Sequence, residues 1–226
     1  MGSDSLSFNR YLSGKGLEWT NKKSFLFSIS EIVIYSGQNR SVDFAYLNPV
    51  SSHLEIELNE RANLIGTDSG NAIWLISLDW QMKPNIRIST NLLIDEFVID
   101  QSQRDINKNS SLGFSSKLEF LSSHNDKIKN AFNLALVVIG TPTYRHEEAM
   151  NNFINRGKPI GAPLGSDCYE VSTGINTVFL EKMLFNLVIG VMDSGNNNII
   201  YSPYNPYAFE DYYSDDGNNG LRQCGD

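Results

Sequence analysis

Charge is scarce in this sequence. Asp, Glu, Lys and Arg make up 19% of its 226 residues, where about a quarter is usual for a soluble domain. Long apolar runs are missing too. None approaches the roughly 18 residues that carry a helix across a bilayer, which excludes helical membrane spans. A transmembrane β-strand escapes that test, because only every second residue faces lipid. Basic residues are few, 18 against 26 acidic, for a net charge of −8. With no basic cluster, a nucleic-acid partner is not expected, since such binding needs Lys and Arg against phosphate.

Cysteine and histidine are also sparse. Cys168 and Cys224 are the two cysteines. They lack a metal-type spacing, and a disulfide between them stays open in an oxidising compartment. His53, His124 and His146 form no His/Cys cluster, so neither zinc nor another cofactor is expected. Near the end, Glu210, Asp211, Asp215 and Asp216 read as a solvated loop, with a cation-binding loop as the alternative. Met1-Gly2-Ser3-Asp4-Ser5 has neither a basic start nor an apolar stretch, so no signal peptide is present in this chain.

What the sequence has in abundance is alternation. Trp74, Ile76, Leu78, Trp80 and Met82 are separated by Leu75, Ser77, Asp79 and Gln81, a period of two rather than 3.6. Lys83-Pro84-Asn85 then forms a tight turn. The chain returns with Ile86, Ile88, Thr90, Leu92 and Ile94 on one face and Arg87, Ser89, Asn91 and Asp95 on the other. Phe114 to Phe120, Tyr169 to Phe179 and Phe185 to Val191 repeat the theme, the last two joined by the turn Leu180-Glu181-Lys182. Phe132 to Val138 is apolar on both faces, and Phe25 to Tyr35 alternates more weakly.

Short turns at one end contrast with long connections at the other: Gln101 to Ser111, Tyr144 to Asp167, and everything from Asp193. Together with strands of about ten residues, this asymmetry predicts an all-β, antiparallel, up-and-down transmembrane β-barrel of the outer-membrane type. The expectation is a single domain over 1–226, strand-rich from 9 to 195, with a polar loop or tail over 196–226. Roughly nine to eleven strands are expected, part of a larger, monomeric barrel. The missing signal peptide, and the absence of a closing apolar strand before Gln223-Cys224-Gly225-Asp226, suggest a piece of a longer gene product. A soluble β-sandwich is the alternative, and it would fold without detergent.

Four segments, in order, carry a family resemblance. They are Asn9 to Glu18; Glu31 to Arg40, running on to Tyr46-Leu47-Asn48-Pro49; Asn91 to Asp100; and Tyr144-Arg145-His146 followed by Gly157 to Asp167. Over residues 9 to 195 the chain resembles the Wzi family of capsule-assembly proteins. Ser36, Glu96, Ala162 and the inserted Arg145 depart from the family pattern. The resemblance implies a barrel in outer-membrane lipid that attaches capsular or extracellular polysaccharide at the cell surface, as a lectin rather than an enzyme. A porin-like channel, with Asp79, Arg87, Asp95 and Lys117 lining its lumen, is the second reading. A carbohydrate-binding sandwich module is the third.

The candidate polysaccharide-binding residues are Arg40, Asp95, Tyr144, Arg145 and His146. In Tyr144, Arg145 and His146 an aromatic ring, a cation and an imidazole together suit an anionic sugar; the first reading is a girdle tyrosine with ordinary polar loop residues. Gly37-Gln38-Asn39-Arg40 reads first as a turn, with Arg40 a charged donor in the sharper reading. Asp95 is expected to pair with Arg87 or Arg40, or to bind sugar hydroxyls. Asp95 and Glu96 are adjacent on a strand and point to opposite faces, so they cannot flank a glycosidic bond. No Ser/His/Asp or Cys/His arrangement supports nucleophilic catalysis. Gly161 to Asp167 lacks the ending of a phosphate loop and reads as a rigid lead-in to the strand at Cys168.

Overall fold

A computed structural model describes residues 8–58, 70–96, 111–125, 127–146 and 149–200. Eight long strands form one antiparallel sheet in near-sequential order. They are β1 (Phe8–Thr20), β2 (Phe25–Gln38), β3 (Asn71–Lys83), β4 (Ile86–Glu96), β5 (Ser111–Asn125), β6 (Ile128–Ile139), β9 (Cys168–Phe179) and β10 (Met183–Ser194). Between β6 and β9 lies a separate two-stranded hairpin, β7 (Ile154–Asn155) with β8 (Lys158–Pro159). The main sheet is therefore an up-and-down meander with β1 and β10 at its edges. The fold is all-β, as the alternation predicts. Among the described residues there are ten strands, eight long and two short, against roughly nine to eleven expected; β1 is one that the alternation did not single out.

Turn chemistry explains the short end. At the β1–β2 turn, Asn21 Oδ1 accepts from the amides of Lys23, Ser24 and Phe25, and Lys22 takes a left-handed φ of 57°. Pro84-Asn85 reverses β3 into β4. Leu180 and Glu181, with φ of 53° and 56°, are the two successive left-handed residues of a hairpin turn that matches strand twist.

Among the described residues, the connections after β2 and β6 carry structure of their own. Two short helices follow β2: α1 (Phe44–Leu47) and α2 (His53–Leu58), which alternation gave no reason to expect. Asp43 caps α1 by accepting from the Ala45 amide. Among the described residues, no helix is long and apolar enough to cross a membrane.

Register sorts every strand residue to one of two faces. Glu18, Ser28, Ser77, Asn91 and Ser115 lie in one row of a polar face, with Asp79, Ser89, Lys117 and Ser172 in the next. The opposite, apolar face carries Trp19, Ile29, Trp80, Phe114, Leu118, Phe132, Leu134, Leu136 and Val171, all exposed. On the edge strand β10, Phe185, Leu187, Ile189 and Val191 are exposed on that face too.

Among the described residues, the buried hydrophobic side chains gather at the long-loop end, in two clusters on opposite faces. On the polar face, Ile34, Ile73, Leu93, Ile139 and Cys168 pack under Tyr144, Phe153 and Ile199. On the apolar face, Val33 and Tyr35 pack under Tyr46 and Ile56 of the two helices.

Candidate functional site

The five predicted site residues divide between these two clusters. Arg40 stands apart from the other four. It follows the turn at Asn39, whose φ is 54°, and its side chain is buried. The guanidinium sits 4.9 Å from the Tyr35 ring centroid and 6.0 Å from that of Tyr46, and Nη1 donates to the Ser36 carbonyl at 2.8 Å. Tyr35 stacks on Tyr46 at 4.4 Å and on Tyr11 at 5.3 Å. Arg40 thus serves a cation–π stack between β2 and α1.

Asp95, Tyr144, Arg145 and His146 come together over the polar face. The Tyr144 amide donates to Asp95 Oδ2 at 2.5 Å. Of the expected partners of Asp95, Arg87 goes to Asp79 instead, with Nε at 2.9 Å and Nη2 at 2.7 Å. Tyr144 takes a left-handed φ of 73°, which turns its ring into the cluster beside Phe153, 6.0 Å away. Its hydroxyl accepts from the Ala162 amide at 3.2 Å. Burial pushes the Tyr144 phenol up from its ordinary value. Gly161 passes so close that a Cβ there would sit 2.7 Å from the Tyr144 hydroxyl, and its φ is +131°, so both space and backbone require glycine.

Arg145 is buried. It donates through Nε to the Thr141 carbonyl at 3.1 Å and through Nη2 to the Asn197 carbonyl. The His146 amide donates to Asn152 Oδ1 at 2.7 Å, and its side chain is half-buried. The geometry therefore joins these residues as parts of a folded cap. Tyr144 and Arg145 turn inward, and His146 is the least buried of the three.

That cap is a strap. It leaves the sheet at β6 and reaches β1–β3 across the polar face. Arg10 donates to the carbonyls of Asn152 and Ile154, Ser36 Oγ donates to Asn151 Oδ1 at 2.6 Å, and Asn71 Nδ2 donates to the Asn151 carbonyl at 3.1 Å. On its return, Asp167 accepts from Thr141 Oγ1 at 2.9 Å and from the Asn197 amide at 3.1 Å. Alternation reads 144–167 as a polar loop, but Phe153, Ile160, Ala162 and Leu164 pack into the cluster. The only hint in the sequence is their apolar character within a Gly- and Asn-rich stretch.

Below the cap the polar face is open. Asp79 and Arg87 pair there, and Lys117 meets Glu119 at 2.6 Å.

A second polar constellation, on the apolar face, is one that sequence reasoning missed. Lys15, Glu31 and Trp74 are register neighbours on β1, β2 and β3. Glu31 accepts from Lys15 Nζ at 2.8 Å, from Trp74 Nε1 at 2.7 Å and from the His53 amide at 3.0 Å. The Lys15 ammonium also donates to the Ser51 carbonyl. The signal was there: Glu31 interrupts the apolar row Phe25, Phe27, Ile29, Val33, Tyr35, and a carboxylate in such a row needs partners.

Cys168 is buried beside the Gly165 carbonyl. Glu96 and His124 lie at strand ends whose side chains are outside the described residues, as are Asp100, Cys224 and the acidic tail. Compared with protein-family models, curated proteins and solved structures, the chain finds no match.

Proposed function

We propose that this chain is a β-barrel protein of the outer membrane, or a part of one, that attaches capsular or extracellular polysaccharide at the cell surface without catalysis. One observation carries the reading: the sheet has an exposed apolar face, an opposite polar face, and a packed cap over the long-loop end of the polar face. On a soluble sandwich the apolar face would be covered by a second sheet. Here Leu134, Leu136, Val171 and Leu118 of interior strands are exposed. Lipid would cover them.

The span is right for lipid. Trp74 to Met82 is nine residues, the low end of the roughly 9–11 that a tilted transmembrane strand uses. Trp74 stands at one margin. Trp19, Phe25 and Trp80 stand at the other, with Trp19 edge-on to Phe25 at 5.3 Å. Aromatic side chains of this kind favour membrane interfaces. The cap favours a binding protein over an open pore, because it spends the long loops on filling one end of the polar face. The polar residues on that face offer hydroxyl, amide and charged groups to a sugar.

The test is folding with and without lipid vesicles, read by circular dichroism and by a heat-dependent gel shift, followed by binding to polygalacturonate as an acidic polysaccharide. Lipid-dependent folding with retention of the polymer is the expected result. Folding as a compact monomer in plain buffer would replace the barrel with a soluble module. Rapid passage of small sugars into vesicles that hold the protein would favour the second reading, a channel. The open Asp79–Arg87 and Lys117–Glu119 pairs on the polar face are the observation behind that reading.

A further inference from the structure

The segment that carries α1 presents an unusual surface. Its inward side is fixed. Tyr46 is buried in the stack with Tyr35, its carbonyl accepts from Ser13 Oγ at 2.7 Å, and Ser51 and His53 are tied to Lys15 and Glu31. The intervening turn is also held. Asn48 Oδ1 accepts from the Val50 amide at 3.1 Å, and its Nδ2 donates to Ser51 Oγ at 2.9 Å. Yet the outward side is apolar. Phe44 is 79% exposed, Leu47 52% and Val50 88%. A segment held by this many hydrogen bonds cannot turn those side chains inward.

Position identifies what covers them. The segment packs on the apolar face of the sheet, because Val33 and Tyr35 beneath it point to that face. It lies immediately beyond the Lys15–Glu31–Trp74 row, on whose other side Leu17, Trp19 and Ile29 begin the exposed apolar band. The exposed side chains of 44–50 thus continue that band past the strands. The polar row between them contains a Trp with its indole N–H bonded and a Lys–Glu pair, the composition of a bilayer interface.

We propose that residues 42–50 rest in the headgroup layer of the bilayer, with Phe44, Leu47 and Val50 inserted at the acyl boundary, as an interfacial lipid-binding anchor on this rim. The proposal rests on the reading of the apolar face as lipid-facing.

The experiment places a single environment-sensitive label at Val50→Cys, at Leu187→Cys or at Asn155→Cys, in a full chain carrying Cys168→Ala and Cys224→Ser. Each protein is folded into vesicles of phosphatidylcholine brominated near the top of the acyl chain. The expected result is loss of emission at positions 50 and 187, and none at position 155 on the β7–β8 hairpin. Quenching at 187 without quenching at 50 overturns the anchor and leaves the barrel standing. The same holds if the label at 50 is shielded from water but unquenched, which means protein covers it. Absence of quenching at both 50 and 187 removes the membrane reading itself, and the anchor with it.

Discussion

The two ends of the same strands live in different surroundings. At the long-loop end, β2 runs through Val33, Ile34, Tyr35 and Ser36, all buried, with alternate residues entering clusters on opposite faces. Four residues before Val33, Ile29 of the same strand is exposed. The loop end makes its own core from a strap on one face and two helices on the other. Among the described residues, the turn end has no such cover and keeps its apolar side chains outward. One sheet can therefore hold two kinds of stability: protein packing at one end, and solvation of an apolar face by the surroundings at the other. Each kind should respond to different perturbations.

The largest effect is expected within the cap. Phe153→Ala removes a fully buried ring and should cost about 3–5 kcal/mol, measured by chemical unfolding in lipid vesicles. Phe185→Ala, on an exposed ring of β10, should cost much less. Equal losses would erase the distinction between the ends.

Next comes a charge placed on either face of β6. Leu136 and Ala135 are neighbours on opposite faces. Leu136→Arg should cost about 2–4 kcal/mol in lipid, the range for a charge at the bilayer midplane. Ala135→Arg should cost little. A small cost at Leu136 in folded, vesicle-bound protein would count against lipid on that face. Trp74 is a poorer site for this test, because its hydrogen bond to Glu31 puts it at the margin of the band.

Glu31→Gln probes the seam between the two regimes. It keeps the shape but weakens bonds to Lys15, Trp74 and the His53 amide. A loss of about 1.5–3 kcal/mol is expected, the usual worth of a hydrogen bond to a charged group. Proteolysis between α1 and α2 should accelerate. Unchanged proteolysis would show that the helices are held by Tyr46 and Ile56 packing alone.

Tyr144 gives a pH signature to the cap. Its phenol is pushed up by burial, so the folded state keeps a proton that the unfolded chain releases above about pH 10. Stability from this group is full below that pH and falls as pH rises through the folded value. Tyr144→Phe should lose about 1 kcal/mol at neutral pH, with the bond from Ala162. It should then narrow the gap with the natural chain in alkaline unfolding curves. A constant gap from pH 7 to about 11 would contradict the burial.

Smallest of all, Arg87→Ala should change stability by under about 1 kcal/mol, because its pair with Asp79 is largely exposed. A larger loss would mean that the polar face is drier than its geometry indicates.

Much of the strand frame was legible. Period-two alternation identifies β3, β4, β5, β9 and β10 and assigns their faces, since parity is set by backbone geometry. Pro84-Asn85 and Leu180-Glu181 mark two of the short turns. The rim was not legible, for physical reasons. Its contacts join residues far apart, such as Ser36 with Asn151 and Asn71 with Arg145, and no local pattern encodes such pairs. The separation of Arg40 from Asp95 depends on which face each enters after its own turn. The role of Arg145 depends on whether the strap folds inward. Polar Asn, Thr and Asp in that strap satisfy buried backbone groups, and composition alone does not distinguish this from solvated loop.

The strap also has a bearing on the order of assembly. Arg10 and Asn152 are 142 residues apart in the chain, while the short-turn hairpins β1–β2, β3–β4, β5–β6 and β9–β10 close within a few residues of their turns. Contacts between distant parts of a chain form slowly, because loop closure is costly before the ends are held near one another. The strap has no surface to dock on until β1, β2 and β3 stand beside the later strands. A reporter on Asn152 should therefore become protected after one on the Leu180-Glu181 turn, and the cap would act as a seal that marks a completed sheet.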